Sequence, residues 1–215
     1  MIKFGTGGWR AVIGADFIEK NICYVAEGIC RLMEEEGKMD RPTIVGYDHR
    51  FLSEAAARWM AEIFAAHGLT VWFMNRSAPT PLIMHTVKKQ GFYFGVEVTA
   101  SHNPSSYNGI KLIVEEGRDA PIETTERLEQ WISTVEAEDK ITRIPFEDAC
   151  KEGLIKYRKN PFNDFIDDIM EVSCSAILRH RSKEPPGRIS LIYSQVLSCP
   201  PMEEFSTLLP FVINR

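Results

Sequence analysis

Phe92-Tyr93-Phe94-Gly95-Val96-Glu97-Val98-Thr99-Ala100-Ser101-His102-Asn103-Pro104 is the stretch whose reading decides the fold. Its first seven residues form a short apolar run of the kind a buried strand requires, and Pro104 stops it. A second strand-like run, Gly109 to Val114, follows at once. The intervening loop therefore sits at a strand end, where open α/β sheets place their ligand crevice. Ser101 has an imidazole (His102) and a carboxamide (Asn103) beside it, with Lys111 close downstream. A serine that carries a phosphoryl group needs this company: donors and a cation to hold an anion, and a group to move its proton. The same hydroxyl could instead cap a strand end. A Ser101/His102 hydrolase is disfavoured, because adjacent side chains on such a loop point apart and no G-x-S-x-G elbow is present.

Upstream, Ile2 to Phe4 is a strand candidate running into Gly5-Thr6-Gly7-Gly8-Trp9-Arg10. The glycines allow close approach of the backbone to a ligand, and Arg10 supplies a forked cation suited to phosphate. Apolar residues at Ile18, Ile22, Val25, Ile29, Leu32 and Met33 mark an amphipathic helix over 17–36, closed by Gly37. Thr43 to Tyr47 reads as a strand delivering Asp48-His49-Arg50, with Ser53 placed to cap a helix over 54–67. Leu69 to Met74 is a further strand, Thr80-Pro81 opens a short helix ending at Gly91, and another helix covers 122–138. Gly153 to Asn160 reads as a polar connector, and Pro161 opens a helix over 162–171.

This alternation predicts an α/β fold: a three-layer first domain with a mixed, mostly parallel sheet between helices, then an incomplete second domain. The boundary falls near residue 155, giving domains 1–155 and 156–215. Beyond Val172 the proline-broken text (Pro185, Pro186, Pro200, Pro201, Pro210) predicts a divergent, poorly ordered tail with one strand candidate, Ile189 to Val196.

With 44% hydrophobic and 26% charged residues, the chain has the composition of a soluble globular protein with a sizeable core. A net charge of −5 disfavours nucleic acid and anionic membranes as partners, while a small phosphorylated ligand needs only a locally basic pocket. The five scattered cysteines contain no C-x-x-C pair and read as reduced thiols, and no signal or spanning segment is apparent; the expected address is the cytoplasm.

Taken together, Phe4-Gly5-Thr6-Gly7-Gly8-Trp9-Arg10, Gly46-Tyr47-Asp48-His49-Arg50, Thr99-Ala100-Ser101-His102-Asn103-Pro104 and Asn108-Gly109-Ile110-Lys111 resemble the α-D-phosphohexomutase family, in its bacterial phosphoglucomutase/phosphomannomutase branch. The resemblance covers residues 1 to about 171. It implies that Ser101 is phosphorylated and passes its phosphoryl group to a hexose monophosphate, with a hexose 1,6-bisphosphate as intermediate and activator. It further implies that Lys111 is the general acid/base, that His102 assists, and that Thr6, Arg10, Asn103, Asp48 and Arg50 bind substrate or phosphate. Mg²⁺ would meet Ser101 through its phosphate.

The family's D-G-D-x-D-R metal loop, G-E-x-S-G sugar loop and C-terminal phosphate loop are not found among these 215 residues. Asp164, Asp167 and Asp168 sit on a helical pattern and read as a solvated face. The tail after Ser173 departs from the family's second domain, as text read in another frame or a truncated product would. Two readings follow: a phosphohexomutase, with a separate C-terminal half as a possible partner, or a truncated non-catalytic fragment that binds phosphate weakly.

Overall fold

The computed structural model describes residues 2–5, 7–158 and 161–181, the last from 174 onward as backbone only. The chain divides into two units, 1–165 and 166–215. In the first, the order is β1 (Trp9–Val12), α1 (Glu19–Glu35), β2 (Thr43–Tyr47), α2 (Ser53–Ala66), β3 (Val71–Met74), α3 (Thr80–Gln90), β4 (Phe94–Val98), β5 (Tyr107–Val114), β6 (Arg118–Asp119), α4 (Ile122–Glu138), α5 (Phe146–Lys151) and β7 (Ile155–Arg158). Helix α6 (Pro161–Arg181) begins in the first unit and continues into the second.

The described strands form one mixed sheet in the order β1-β5-β4-β2-β3-β7, with β6 alongside β5. Strands β4, β2, β3 and β7 run parallel; β5 is antiparallel to β4, β1 and β6. Strands β2 and β4 are buried on both faces, which is why Thr43–Tyr47 and Phe94–Val98 read as continuous apolar runs rather than alternating ones.

Two helical layers close the sandwich. On one face, α1 and α2 lie over Phe94 and Leu112, with Phe64 meeting Phe94 edge to face. Gly28 lets α4 approach α1 closely, since a methyl carbon there would meet Ile132 and Leu128. On the other face, α3 presents Ile83 and Val87 against Gly46 and Gly95. The α/β class with a mixed sheet between helical layers is thus what the structure has.

Four local expectations change. The opening strand is Trp9–Val12, not Ile2–Phe4, because Trp9 and Ala11 turn inward and pair with β5; Ile2 and Phe4 are buried without joining the sheet. The polar connector contains strand β7, whose residues Lys156 and Tyr157 are exposed at the sheet edge. Ser53 does not cap α2: it is buried, donates to Asp48 Oδ1 at 2.6 Å and accepts from Asn108 Nδ2 at 2.9 Å. Helix α6 extends past 171 to Arg181. The remainder of the expected tail, including Ile189–Val196, lies outside the described residues.

Candidate active site

Strand β4 ends at Val98, and the chain then turns sharply. Ser101 adopts a left-handed backbone conformation (φ 54°), which costs a non-glycine residue about 1 kcal/mol. Its amide donates to Thr99 Oγ1 at 3.0 Å, and Asn103 N–H donates to Ala100 O at 3.0 Å. Ser101 and His102 are exposed, as a group that must meet a ligand has to be.

A single guanidinium holds this turn. Arg50 Nη2 donates to the carbonyls of Ser101 (2.8 Å) and Asn103 (2.6 Å), and Nη1 to those of Pro104 (2.8 Å) and Tyr107 (3.0 Å). Its Nε faces Asp48 Oδ2 at 3.4 Å, while Asp48 Oδ1 accepts from Arg50 N at 2.8 Å. The planar, five-donor fork is what allows one side chain to gather four carbonyls; a lysine could not. With its donors used in this way, Arg50 fixes the shape of the serine loop. Asn108 secures the return strand, donating to Phe51 O at 3.0 Å and accepting from Gly109 N at 2.8 Å.

The sheet face under α3 carries the remaining groups. Register pairs Arg10 with Gly109 and Lys111 with Glu97, and Thr99 N donates to Gly109 O at 2.9 Å. Gly109 is the pivot: a side-chain carbon there would meet Thr99 O at 2.9 Å and Arg10 Cγ at 3.1 Å, so its absence makes room for the Arg10 side chain over β5. A carbon added at Gly7 would sit 3.8 Å from Arg10 Nη2, 3.9 Å from Lys111 Nζ and 3.8 Å from Asp119 Oδ2. Two cations and one carboxylate therefore converge on a backbone bare of side chain. Lys111 is 12% exposed and pairs with Asp119 at 2.9 Å. Arg10 donates to Gly8 O at 3.2 Å through Nη1, but its buried Nε has no partner. An unsatisfied buried donor within a cationic cluster is the arrangement a bound anion completes.

Of the residues expected from sequence, Ser101, Asn103, Asp48 and Arg50 share the serine loop and its support, with His102 on the loop's exposed side. Arg10 and Lys111 share the adjoining cluster. Thr6 lies outside the described residues. Sequence reasoning missed Asp119, Thr99, Asn108 and Glu97. Thr99 and Asn108 stand inside the motif strings without a role of their own, and Glu97 is the lone charge in the apolar run Phe92 to Val98.

The described residues do not build a metal cage. No three carboxylate, imidazole or thiol groups converge among them, and the nearest acids are committed, Asp48 to Arg50 and Ser53, Asp119 to Lys111. A phosphate on Ser101 would supply metal-binding oxygens at the loop tip.

Residues 1–139 match the family model described as phosphoglucomutase/phosphomannomutase, alpha/beta/alpha domain I. The chain is 29% identical over 186 residues to a phosphoglucomutase of Staphylococcus saprophyticus, an alignment covering 85% of this chain and 34% of that protein. It is 38% identical over 118 residues to a probable phosphoribomutase of Schizosaccharomyces pombe, covering 52% and 20%. Among solved structures, a putative phosphomannomutase from Thermus thermophilus superposes with TM-score 0.58 at 34% identity, covering 61% of this chain and 30% of that one. The chain spans about a third or less of the relatives it matches.

Proposed function

The chain belongs to the phosphoglucomutase/phosphomannomutase family, and from that premise we propose that it carries the phosphoryl-transfer half of a phosphohexomutase active site. In this reading Ser101 holds a phosphate ester and donates it to the free hydroxyl of a hexose monophosphate, glucose phosphate being the favoured substrate. The hexose 1,6-bisphosphate so formed turns over and returns its other phosphoryl group to the serine, which makes the reaction an isomerisation. The observation that carries this is the left-handed Ser101, its loop carbonyls gathered on Arg50, set beside a cation cluster that retains an unsatisfied donor.

The residues then divide the task. A phosphoserine carries ~−2 charge at neutral pH. Arg10 and Lys111 offset that charge, and positioning supplies much of the remaining rate in phosphoryl transfer. Lys111 moves the proton of the sugar hydroxyl, while Asp119 holds the ammonium in place between turns. His102 assists proton movement from the exposed side, Thr6 and Asn103 complete the phosphate surroundings, and Asp48 holds Arg50 against the loop. Mg²⁺, reached through the phosphate on Ser101, would add Lewis-acid stabilisation. Its other ligands and the sugar-reading groups come, in this proposal, from residues other than these 215.

Glucose 1-phosphate to glucose 6-phosphate conversion, measured with the chain alone and with a C-terminal half taken from a full-length relative, tests the proposal. Conversion by the pair, lost in Ser101→Ala, is the expected result. Conversion that survives Ser101→Ala would refute it. The alternative, a non-catalytic phosphate-binding fragment, predicts no conversion in either arm.

A further inference from the structure

Glu97 is completely buried in the middle of the sheet, one strand from Lys111, and neither of its carboxyl oxygens has a hydrogen-bond partner. Space for it is made deliberately. A methyl carbon at Gly46, its neighbour on β2, would collide with Glu97 Oε2 and lie 2.5 Å from Ile83 Cδ1. The α3 side chains over this face, Ile83 and Val87, are apolar, so an apolar residue at 97 would fill the site at no polar cost.

We propose that Glu97 is a positioning residue for Lys111: a neutral carboxyl kept beneath the site so that the lysine's charge is shared only by Asp119 and by a phosphate group held between Lys111 and Arg10. The proposal rests on the phosphoryl-transfer reading of Lys111 given above.

Neutrality follows from the surroundings. An ionised carboxylate taken out of water without a partner costs far more than protonating it. The charged groups acting on Glu97 are Asp48, beyond the end of β2, and Lys111, opposite it on β5; α3 presents Ile83. Burial first, and the Asp48 charge second, push its carboxyl well above the usual range, and Lys111 only partly opposes them. Asp48 Oδ2 faces Arg50 Nε at 3.4 Å, and its Oδ1 accepts from Arg50 N and Ser53 Oγ.

The consequence for the site is a matter of sign. Arg10, Arg50 and Lys111 stand against Asp48 and Asp119, so with Glu97 neutral the cluster keeps one surplus positive charge. With Glu97 ionised the surplus disappears, and with it the net pull on a phosphate dianion. A neutral Glu97 thus leaves the Lys111 charge to Asp119 and the phosphate.

Carbon-13 titration of the side-chain carboxyls in the full chain, with Glu97 assigned through its own backbone amide, tests the charge directly. The Glu97 carboxyl should keep its proton well above the ordinary 4.5, at pH values where that of Glu27 is already ionised. A Glu97 that ionises near the ordinary 4.5 overturns the proposal. The positioning role is read from the pH profile of phosphoryl acceptance by Ser101 from glucose 1,6-bisphosphate. The wild-type rate should fall about tenfold on the alkaline side as Glu97 ionises, the scale of a charge pair a few ångströms apart in a protein. Glu97→Gln, which cannot ionise, should lose that alkaline fall. An alkaline fall unchanged in Glu97→Gln overturns the positioning role. A neutral Glu97 in a chain that accepts no phosphoryl group refutes the mutase reading, and Lys111's part with it, whereas an ionised Glu97 in a chain that does accept one refutes this proposal alone.

Discussion

Two glutamates are buried among the described residues, and they are treated in opposite ways. Glu27, on α1, is 2% exposed and fully engaged: His67 Nε2 lies 2.8 Å from its Oε2 and Arg31 Nε donates to its Oε1 at 3.1 Å, while His67 Nδ1 meets Glu34 at 3.2 Å. Burial alone would raise the Glu27 carboxyl, but His67 and then Arg31 outweigh it and hold it below the usual value. The hydrogen bond to Glu27, against the effect of burial, correspondingly raises His67. Glu97 is buried as deeply, has no partner, and is driven the other way. The first arrangement tethers α1 to α2 far from the serine loop. The second lies beneath that loop and leaves a polar group unsatisfied, the pattern expected where stability has been given up for chemistry.

The comparison can be broken by substitution. Glu27→Leu leaves His67 and Arg31 without their shared anion, and urea unfolding should show a loss of about 3 kcal/mol, the lower end for breaking a buried pair. A smaller loss would mean that Glu27 is not the anchor its contacts indicate. Next in size, Gly46→Ala forces a methyl carbon against Glu97 and Ile83 and should cost about 2 kcal/mol, as overpacking does. Paired with Glu97→Ala, the same change should cost less, leaving only the conflict with Ile83.

Glu97→Leu should move stability in the opposite direction to Glu27→Leu, through about 1 kcal/mol from removing an unsatisfied group and a second part from no longer having to protonate a carboxyl that is ionised in the unfolded chain. The second part should vanish below pH 4.5, the ordinary glutamate value, where folded and unfolded chains both carry the proton. It should grow as the pH rises above 4.5, because the unfolded chain then ionises and the folded one does not. The smallest effect belongs to the tether itself. His67 contributes fully below its ordinary 6.5 and loses that contribution as pH rises through its elevated folded value. Glu27 contributes above its ordinary 4.5 and loses it as pH falls through its depressed folded value. Both are intact between 4.5 and 6.5, and thermal unfolding of His67→Gln should lose this plateau.

Much of this was legible in the text of the chain, for reasons that differ by element. Helix α1 shows its apolar stripe at intervals of three and four, and β2 and β4 are continuous apolar runs, so periodicity alone finds them. Strand β7 escaped because Lys156 and Tyr157 face solvent at an edge, and α5 because six residues are too few to display a period. Trp9-Arg10-Ala11-Val12 alternates correctly for a strand, but the glycines before it drew attention to Ile2–Phe4 instead. At the site, Ser101, Arg10 and Lys111 could be named from residue chemistry. That Arg50 grips four carbonyls could not, because main-chain oxygens leave no mark in a sequence. Asp119 lay hidden in a strand of two residues.

The account's central claim is that Ser101 stores a phosphoryl group, and intact-mass analysis of the 215-residue chain after incubation with glucose 1,6-bisphosphate and Mg²⁺ tests it most directly. The account predicts one added phosphoryl group, mapped by fragmentation to Ser101 and absent from Ser101→Ala. An unmodified serine, or a phosphoryl group carried on any other residue, would contradict it.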